Sequence, residues 1–298
     1  MWIVLLFALA GGAAQLVDGT LGMGFGVTSA TILLALGVSP VAASAATHIA
    51  KLPTTLVSGL AHWRQGNVDR AMFARLAVPG AIGAFLGAVV LTNLSLSAAK
   101  GWMAGLLLFF GAMIFIRYGF GKRLIPVPKH GTQKRWLVPI GSLGGFVDAT
   151  GGGGWGPVVT PSMLTVTERQ PRQIVGTVNA AEFVVACSAS LGFVTGAAHE
   201  DSIPWLAVLG LVIGGVIVAP FAARLAGRLP QALMGTLVGG LILIVNGQII
   251  VKAVLDVPTW LGWALFLATV ALTVAVAVRA WGRERAEADQ PQPLPERV

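Results

Sequence analysis

Cysteine and tyrosine occur once each in the 298 residues, at Cys187 and Tyr118, and acidic residues number only 12. A single cysteine excludes a disulfide framework within the chain and any multi-cysteine zinc or iron–sulfur site. One tyrosine among 39 glycines, without short alternating strands, speaks against an outer-membrane barrel and its aromatic girdles. Charge is scarce altogether. Charged residues make up 11% of the chain and hydrophobic ones 55%, and the mean hydropathy of +0.81 lies outside the range of soluble domains. The 20 basic residues give a net charge of +8, but they lie between apolar runs rather than on one face, so no nucleic-acid partner is expected. A G-x-x-x-x-G-K-[ST] phosphate loop, a G-x-S-x-G elbow and an H-E-x-x-H helix are all missing, and no ATP use, cofactor or metal is expected.

What is plentiful is apolar length. A bilayer core about 30 Å thick takes roughly 20 helical residues. Runs of that kind, bounded by charge, Pro or Gly, lie near 41–61, 72–91, 97–116, 173–197, 203–221, 231–251 and 259–280. Two further apolar regions, 2–37 and 137–167, are interrupted by polar, glycine-rich stretches that leave pieces of about 14 to 16 residues, too short to cross. Each reads as a re-entrant or broken-helix hairpin, tolerable in a membrane only where its irregular backbone is buried in protein or faces an aqueous cavity. Ala8-Leu9-Ala10 resembles a signal-peptidase site, but no basic segment precedes it and the region has a mid-chain counterpart, so it is expected to remain in the fold. Residues 282–298, charged and proline-rich, are expected to form a disordered tail.

The lysines and arginines orient the chain. They cluster in the linker from Arg117 to Arg135 and around Arg64, Arg70 and Arg75, Arg169 and Arg172, Arg224 and Arg228, and Arg279 to Arg285. Stretches 92–96, 198–202 and 253–258 have none. The basic loops, the linker and the C-terminus are therefore expected on the cytoplasmic side of a multi-pass protein of the cell membrane.

Self-comparison uncovers a repeat. Asp18, Thr20, Gly22, Gly24 and Gly26 recur as Asp148, Thr150, Gly152, Gly154 and Gly156 at a constant offset. After a slip of one residue, Pro40, His48, Lys51 and Gly83 fall on Pro171, Asn179, Glu182 and Gly214. The run 41–61 ends at the basic Arg64 loop, whereas its equivalent 173–197 ends at the acidic loop holding Glu200 and Asp201, so the repeats are expected to be inverted in the membrane. The chain then reads as an all-α polytopic membrane protein. It comprises a first repeat (1–116), a basic linker (117–136), a second repeat (137–252), one extra transmembrane helix (253–281) and the tail. Each repeat holds one glycine-rich hairpin and three crossings, an architecture of secondary transporters that rock one half against the other.

The paired glycine motifs, the segment S-P-V-A-A-S-A-A-T-H-I-A-K-L-P-T-T, the basic central linker and the overall length resemble the TauE/SafE family of sulfite exporters over nearly the whole chain. The resemblance implies transport of sulfite or another small sulfur-containing or organic anion. Met23 and Phe25 stand where the second motif has Gly153 and Trp155, so the two motifs are not expected to contact a ligand symmetrically.

Five ionisable side chains lie inside apolar regions: Asp18, His48, Lys51, Asp148 and Glu182. Each costs at least about 2.5 to 3.5 kcal/mol at the bilayer centre, so each needs compensation and marks a functional position. His48 lies one turn before Lys51, and Asn179 and Glu182 repeat that spacing. Lys51 and His48 can present charge or donors to an oxyanion, with Glu182 as proton carrier or gate and a proton or cation as coupling partner. A Lys51–Glu182 ion pair across the repeats is the structural alternative. Amide groups of Gly22, Gly24, Gly26, Gly152, Gly154 and Gly156 can form an anion-binding nest at half-helix N-termini. Hydroxyls of Thr20, Thr28, Thr150 and Thr160 can add to it, and Trp155 is placed to close over a ligand. Asp18 and Asp148 would repel an anion if ionised and are expected to cap the half-helices, with gating or proton coupling beside Glu182 as their other candidate role. A channel of the same fold and an intramembrane enzyme with an aspartate dyad are the competing classes. The sequence sets no oligomeric state.

Overall fold

The computed structural model describes residues 2–21, 23–121, 134–196, 203–225, 230–253 and 257–288. Eleven α-helices make up its regular structure together with one short 3-10 turn at Lys134–Trp136, and no strand occurs among the described residues. In order they are α1 (Trp2–Leu21), α2 (Phe25–Ala35), α3 (Pro40–Arg64), α4 (Arg70–Thr92), α5 (Leu96–Phe120) and α6 (Leu137–Gly151). They continue as α7 (Trp155–Val166), α8 (Pro171–Gly196), α9 (Trp205–Leu225), α10 (Gln231–Ala253) and α11 (Thr259–Ala288). Gly22, most of the basic linker, the acidic loop with Glu200 and Asp201, and the last ten residues of the tail lie outside the described residues.

Local sequence sets the helix starts. Ser39 accepts a hydrogen bond from the Ala42 amide at 3.3 Å with Pro40 at the first helical position of α3, and Asp69 does the same for Met72 at the head of α4 (3.0 Å). Ser95 caps α5, which closes at Gly121 in the left-handed conformation (φ 65°).

Seven helices combine the length and apolarity needed to cross a membrane: α1, α4, α5, α8, α9, α10 and α11. The set differs from the sequence expectation in two places. With 20 residues, α1 is a full-length apolar helix rather than a short limb, because it runs on through Gln15, Asp18 and Thr20 before breaking. Conversely α3, 25 residues long, is more polar than these seven because it carries Ser44, Thr47, His48, Lys51, Thr54, Thr55 and Ser58. The limbs α2, α6 and α7 are short, at 11, 15 and 12 residues. Trp2, Trp136, Trp205 and Trp260 stand exposed near helix ends, where amphipathic rings suit the lipid interface.

The extensive helix contacts are α1 with α9, α4 with α6, α5 with α10, and α8 with both α4 and α3. If α1, α3, α4 and α5 are exchanged with α6, α8, α9 and α10, the pair α1–α9 becomes α6–α4, while α3–α8 and α5–α10 map onto themselves. Gly83 and Gly214, matched by the repeat, sit in these equivalent seams. A Cβ on Gly83 would strike the Ser142 carbonyl of α6, and one on Gly214 the Ala8 carbonyl of α1. Only glycine allows backbones to approach so closely.

The end of α11 departs from the disordered tail expected from residue 282, because the helix continues to Ala288. Its polar residues find partners there. Arg283 donates to the carbonyls of Tyr118 (3.0 Å) and Gly119 (3.3 Å) at the end of α5, and Glu284 accepts from the amides of Gln231 (2.9 Å) and Ala232 (3.1 Å) at the start of α10. Two adjacent side chains thus satisfy opposite dipole ends of two helices.

Candidate functional site

The glycine-rich breaks of the two hairpins meet inside the protein. Gly24 (φ 134°), Gly152 (φ 72°) and Gly153 (φ 151°) occupy backbone regions that side chains avoid. A Cβ on Gly26 would stand 2.5 Å from the Gly153 Cα, and one on Gly153 would fall on the Gly26 backbone. The N-termini of α2 and α7 therefore lie against each other, so two positive helix ends converge.

Each break is capped by the aspartate of its own hairpin, as the sequence suggested. Asp18 Oδ1 accepts from the Phe25 amide at 3.2 Å, and Asp148 Oδ1 from the amides of Gly154 (2.7 Å) and Trp155 (3.0 Å). The other oxygen of Asp148 has a second task. It lies 3.1 Å from Lys51 Nζ and 3.1 Å from His48 Nε2, and Lys51 Nζ lies 3.2 Å from Glu182 Oε1. Lys51 and Glu182 thus face one another, and Asp148 forms a further partner that the repeat did not reveal. His48 is held from behind, with Nδ1 2.8 Å from the Ser44 carbonyl. That oxygen can only accept, so Nδ1 carries the hydrogen. Ser44 Oγ in turn donates to the Ala149 carbonyl at 2.6 Å. The links that Lys51, His48 and Ser44 make outside α3 itself all join α3 of the first half to α6 or α8 of the second.

Burial makes the network consequential. The Lys51 and Asp148 side chains are 2% and 1% exposed, while Glu182 keeps 21% of its side-chain surface. That surface opens onto a cavity of about 260 Å³. Its walls are the two breaks, Lys51, Thr54, Thr55 and Ser58 of α3, Gln15 of α1, and Asn179 and Glu182 of α8. Val27 and Gly156, in the first turns of α2 and α7, are also in its lining, and first-turn amides have no acceptor within their own helix. Pro53 cannot donate to the Ile49 carbonyl, and the hydroxyls of Thr54 and Thr55 turn back to the Lys51 carbonyl (2.9 and 2.8 Å).

Of the residues singled out from the sequence, Asp18, Gly24, Gly26, Lys51, Asp148, Gly154, Trp155, Gly156, Asn179 and Glu182 border the cavity. His48 is fully buried behind Asp148. Thr20 and Thr150 donate to the carbonyls of Leu16 and Phe146 in their own helices and do not reach it, and Gly152 packs against Ala30 and Met103. Trp155 is no lid: its ring is fully buried and its indole N–H donates to the Val178 carbonyl at 3.0 Å. Gln15, Thr54, Thr55 and Ser58 are wall residues that sequence reasoning did not select, although polar side chains on membrane helices were the available signal.

The cavity extends from Lys51 toward the Arg64 end of α3 and from Glu182 toward the Arg172 end of α8. At the spacing of Thr54, Thr55 and Ser58 the second half carries Val185, Ala186 and Ala189, all fully buried. One side of the ion network is thus open and hydroxyl-lined, and the other is packed and apolar.

A family model for the sulfite exporter TauE/SafE matches residues 7–249, which include both hairpins and end before α11. The chain belongs to the TauE/SafE family. Over 250 residues it is 44% identical to the probable membrane transporter protein YtnM of Bacillus subtilis (strain 168), an alignment covering 84% of this chain and 83% of that protein. A second relative, the probable membrane transporter protein YdhB of the same organism, is 23% identical over 237 residues, 78% of this chain and 93% of its own. No solved structure matches. This TauE/SafE protein is therefore a membrane transporter, and its ion network and cavity lie inside the region shared with the family.

Proposed function

We propose that this TauE/SafE transporter exports small anions, sulfite or a related organosulfur anion, by alternating access between two inverted halves, residues 1–116 and 137–252. The observation that carries the reading is the convergence of two half-helix N-termini beside a buried lysine on one cavity. Positive helix ends, unpaired amides and an ammonium are the donors an oxyanion needs. Lys51 is neutralised at rest by Asp148 and Glu182. An arriving anion takes the place of Glu182 at Lys51, and Glu182, the more exposed carboxylate, acts as the gate and carries the coupling proton. A negative interior favours anion exit by about 2.3 kcal/mol per charge per 100 mV. The exchanged packing of equivalent helices supports the inversion. In proteoliposomes, sulfite flux is expected to saturate with concentration. Flux that rises linearly without saturation would indicate a channel, and absence of flux for sulfite and sulfonates alike would remove the anion reading.

The orientation places the Arg64 and Arg172 ends, the linker and the C-terminus in the cytoplasm, so that the cavity faces inward. In a Cys187→Ala background, Asn93→Cys on the α4–α5 loop is expected to react with a membrane-impermeant maleimide in intact cells. Gln65→Cys on the α3–α4 loop is expected to react only after permeabilisation. Both positions are exposed. The reverse pattern would invert the assignment.

A further inference from the structure

We propose that the bodies which rock against each other are not the two sequence halves but those halves with one helix exchanged: α1, α2, α3 and α9 move as one unit, and α4, α6, α7 and α8 as the other. The inference rests on the alternating-access reading and assigns its moving parts.

The buried apolar side chains divide along this line. One core unites α1, α2 and α3 with Leu211 of α9, and among the described residues it takes no buried side chain from α4, α6, α7 or α8. The other unites α6, α7 and α8 with Leu76 and Leu91 of α4, and takes none from α1, α2 or α9. Helices α5 and α10, which the repeat maps onto one another, side with the first core in this conformation. Helix packing agrees, since α9 lies against α1 and α3 rather than its chain neighbours α8 and α10, and α4 against α6 and α8 rather than its neighbour α5. Polar bonds fasten α4 to the second body as well. Ser188 Oγ donates to the Ala81 carbonyl at 2.7 Å, and Asp69 at the head of α4 receives Arg169 at 2.8 Å and gives its amide to Thr177 Oγ1 at 3.0 Å.

What crosses between the bodies is of a different kind. Helix α3 meets α6 and α8 through the bonds of Ser44, His48 and Lys51, and the two breaks meet through bare glycine backbone at Gly26 and Gly153. The cavity opens between the same two sets of helices, and no residue of α4 or α9 stands in its wall. Buried apolar surfaces that are pulled apart gain nothing in exchange, whereas polar groups beside a cavity trade a partner for a ligand or water at little net cost. The surface that yields is therefore the one through the ion network. On this reading α4 and α9 hold the opposite hairpin from behind and carry it along.

Three cysteine pairs, each joining one sequence half to the other, test this in a Cys187→Ala background of the full-length protein. A Cβ at Gly12 would stand 3.8 Å from that of Val218 (α1–α9), one at Gly196 3.3 Å from that of Thr92 (α8–α4), and one at Gly59 3.7 Å from that of Ala180 (α3–α8). These separations are close to the span of about 3.5 to 4.5 Å found in disulfides. Gly12→Cys with Val218→Cys, and Thr92→Cys with Gly196→Cys, each lie within one proposed body, while Gly59→Cys with Ala180→Cys bridges the two. Sulfite flux in proteoliposomes is measured for each pair before and after oxidation with copper phenanthroline. The bond is confirmed by mass after each assay, because sulfite cleaves disulfides that it reaches. The first two bonds are expected to leave flux unchanged. The third is expected to abolish it, and reduction to restore it. If the sequence halves were the moving units, all three bonds would stop transport. Loss of flux through either of the first two bonds therefore overturns the inference, even where the third pair does not fold. Full flux through the third bond overturns it as well. Absence of sulfite flux in the wild-type protein overturns the underlying transport reading instead.

Discussion

Asp148→Ala is expected to yield little folded protein, whereas Asp18→Ala, the same change at the matching position, is expected to be tolerated. Asp148 receives the amides of Gly154 and Trp155 and stands against both Lys51 and His48 in a fully buried setting. Its removal uncaps α7 and leaves Lys51 with Glu182 alone. Leaving the buried nitrogens of His48 and Lys51 short of a partner costs about 1 to 3 kcal/mol each, and a lost cap about 1 kcal/mol. Together these approach the whole stability of many proteins, about 5 to 15 kcal/mol. Asp18 holds only the Phe25 amide and is half-buried, so about 1 kcal/mol is at stake. Monodispersity and thermal midpoints in detergent measure the contrast. Similar midpoints for the two alanine variants would mean that Asp148 is not the centre of the network. Asp148→Asn keeps a capping oxygen and is expected to fall between them.

The second large effect concerns transport rather than folding. Glu182→Gln leaves the Lys51–Asp148 pair in place, so the protein is expected to fold normally and to lose the dependence of sulfite flux on a proton gradient. Lys51→Met leaves two carboxylates facing no ammonium and is expected to fold poorly. Combined with Glu182→Gln, only Asp148 remains charged opposite His48, so the double variant is expected to fold. Its flux should drop by roughly 10- to 100-fold, the equivalent of one charge-assisted hydrogen bond of about 1.5 to 3 kcal/mol to the anion. Wild-type flux in the folded double variant would reduce Lys51 to a structural ion. A Glu182→Gln protein still driven by a proton gradient would move the coupling elsewhere.

The parts of this site that could be read from sequence are those the repeat duplicates. Lys51 and Glu182 occupy matching mid-helix positions, so their meeting follows once the halves face each other, and the glycine breaks announce themselves by composition. The bond between Lys51 and Asp148 was not legible, because the repeat pairs Asp148 with Asp18 and treats them alike. What separates them is three-dimensional: His48 has Asn179 as its counterpart, and only the first half supplies two cationic or ring nitrogens to the opposing aspartate. Hydropathy also underrated the length of one helix and the polarity of another. It shortened α1 because Gln15, Asp18 and Thr20 lower its apolarity near the break, although Thr20 returns its hydroxyl to Leu16 and the helix continues. It counted α3 as an ordinary crossing because its polar residues are interleaved with alanines, yet those residues face protein and the cavity rather than lipid. Gln15 passed unnoticed for want of a repeat partner.

The capping of α5 and α10 by one corner of α11 bears on where the molecule can bend. Arg283 and Glu284 tie the adjoining ends of these two helices to one segment of α11, and each set of bonds is worth about 1 kcal/mol. A motion that pulls α5 from α10 at that end must break both sets. A motion that pivots about them breaks neither. The extra helix, the one element without a counterpart in the repeat, therefore staples one end of the seam between the two halves, and a rocking motion that keeps these bonds must turn about that end.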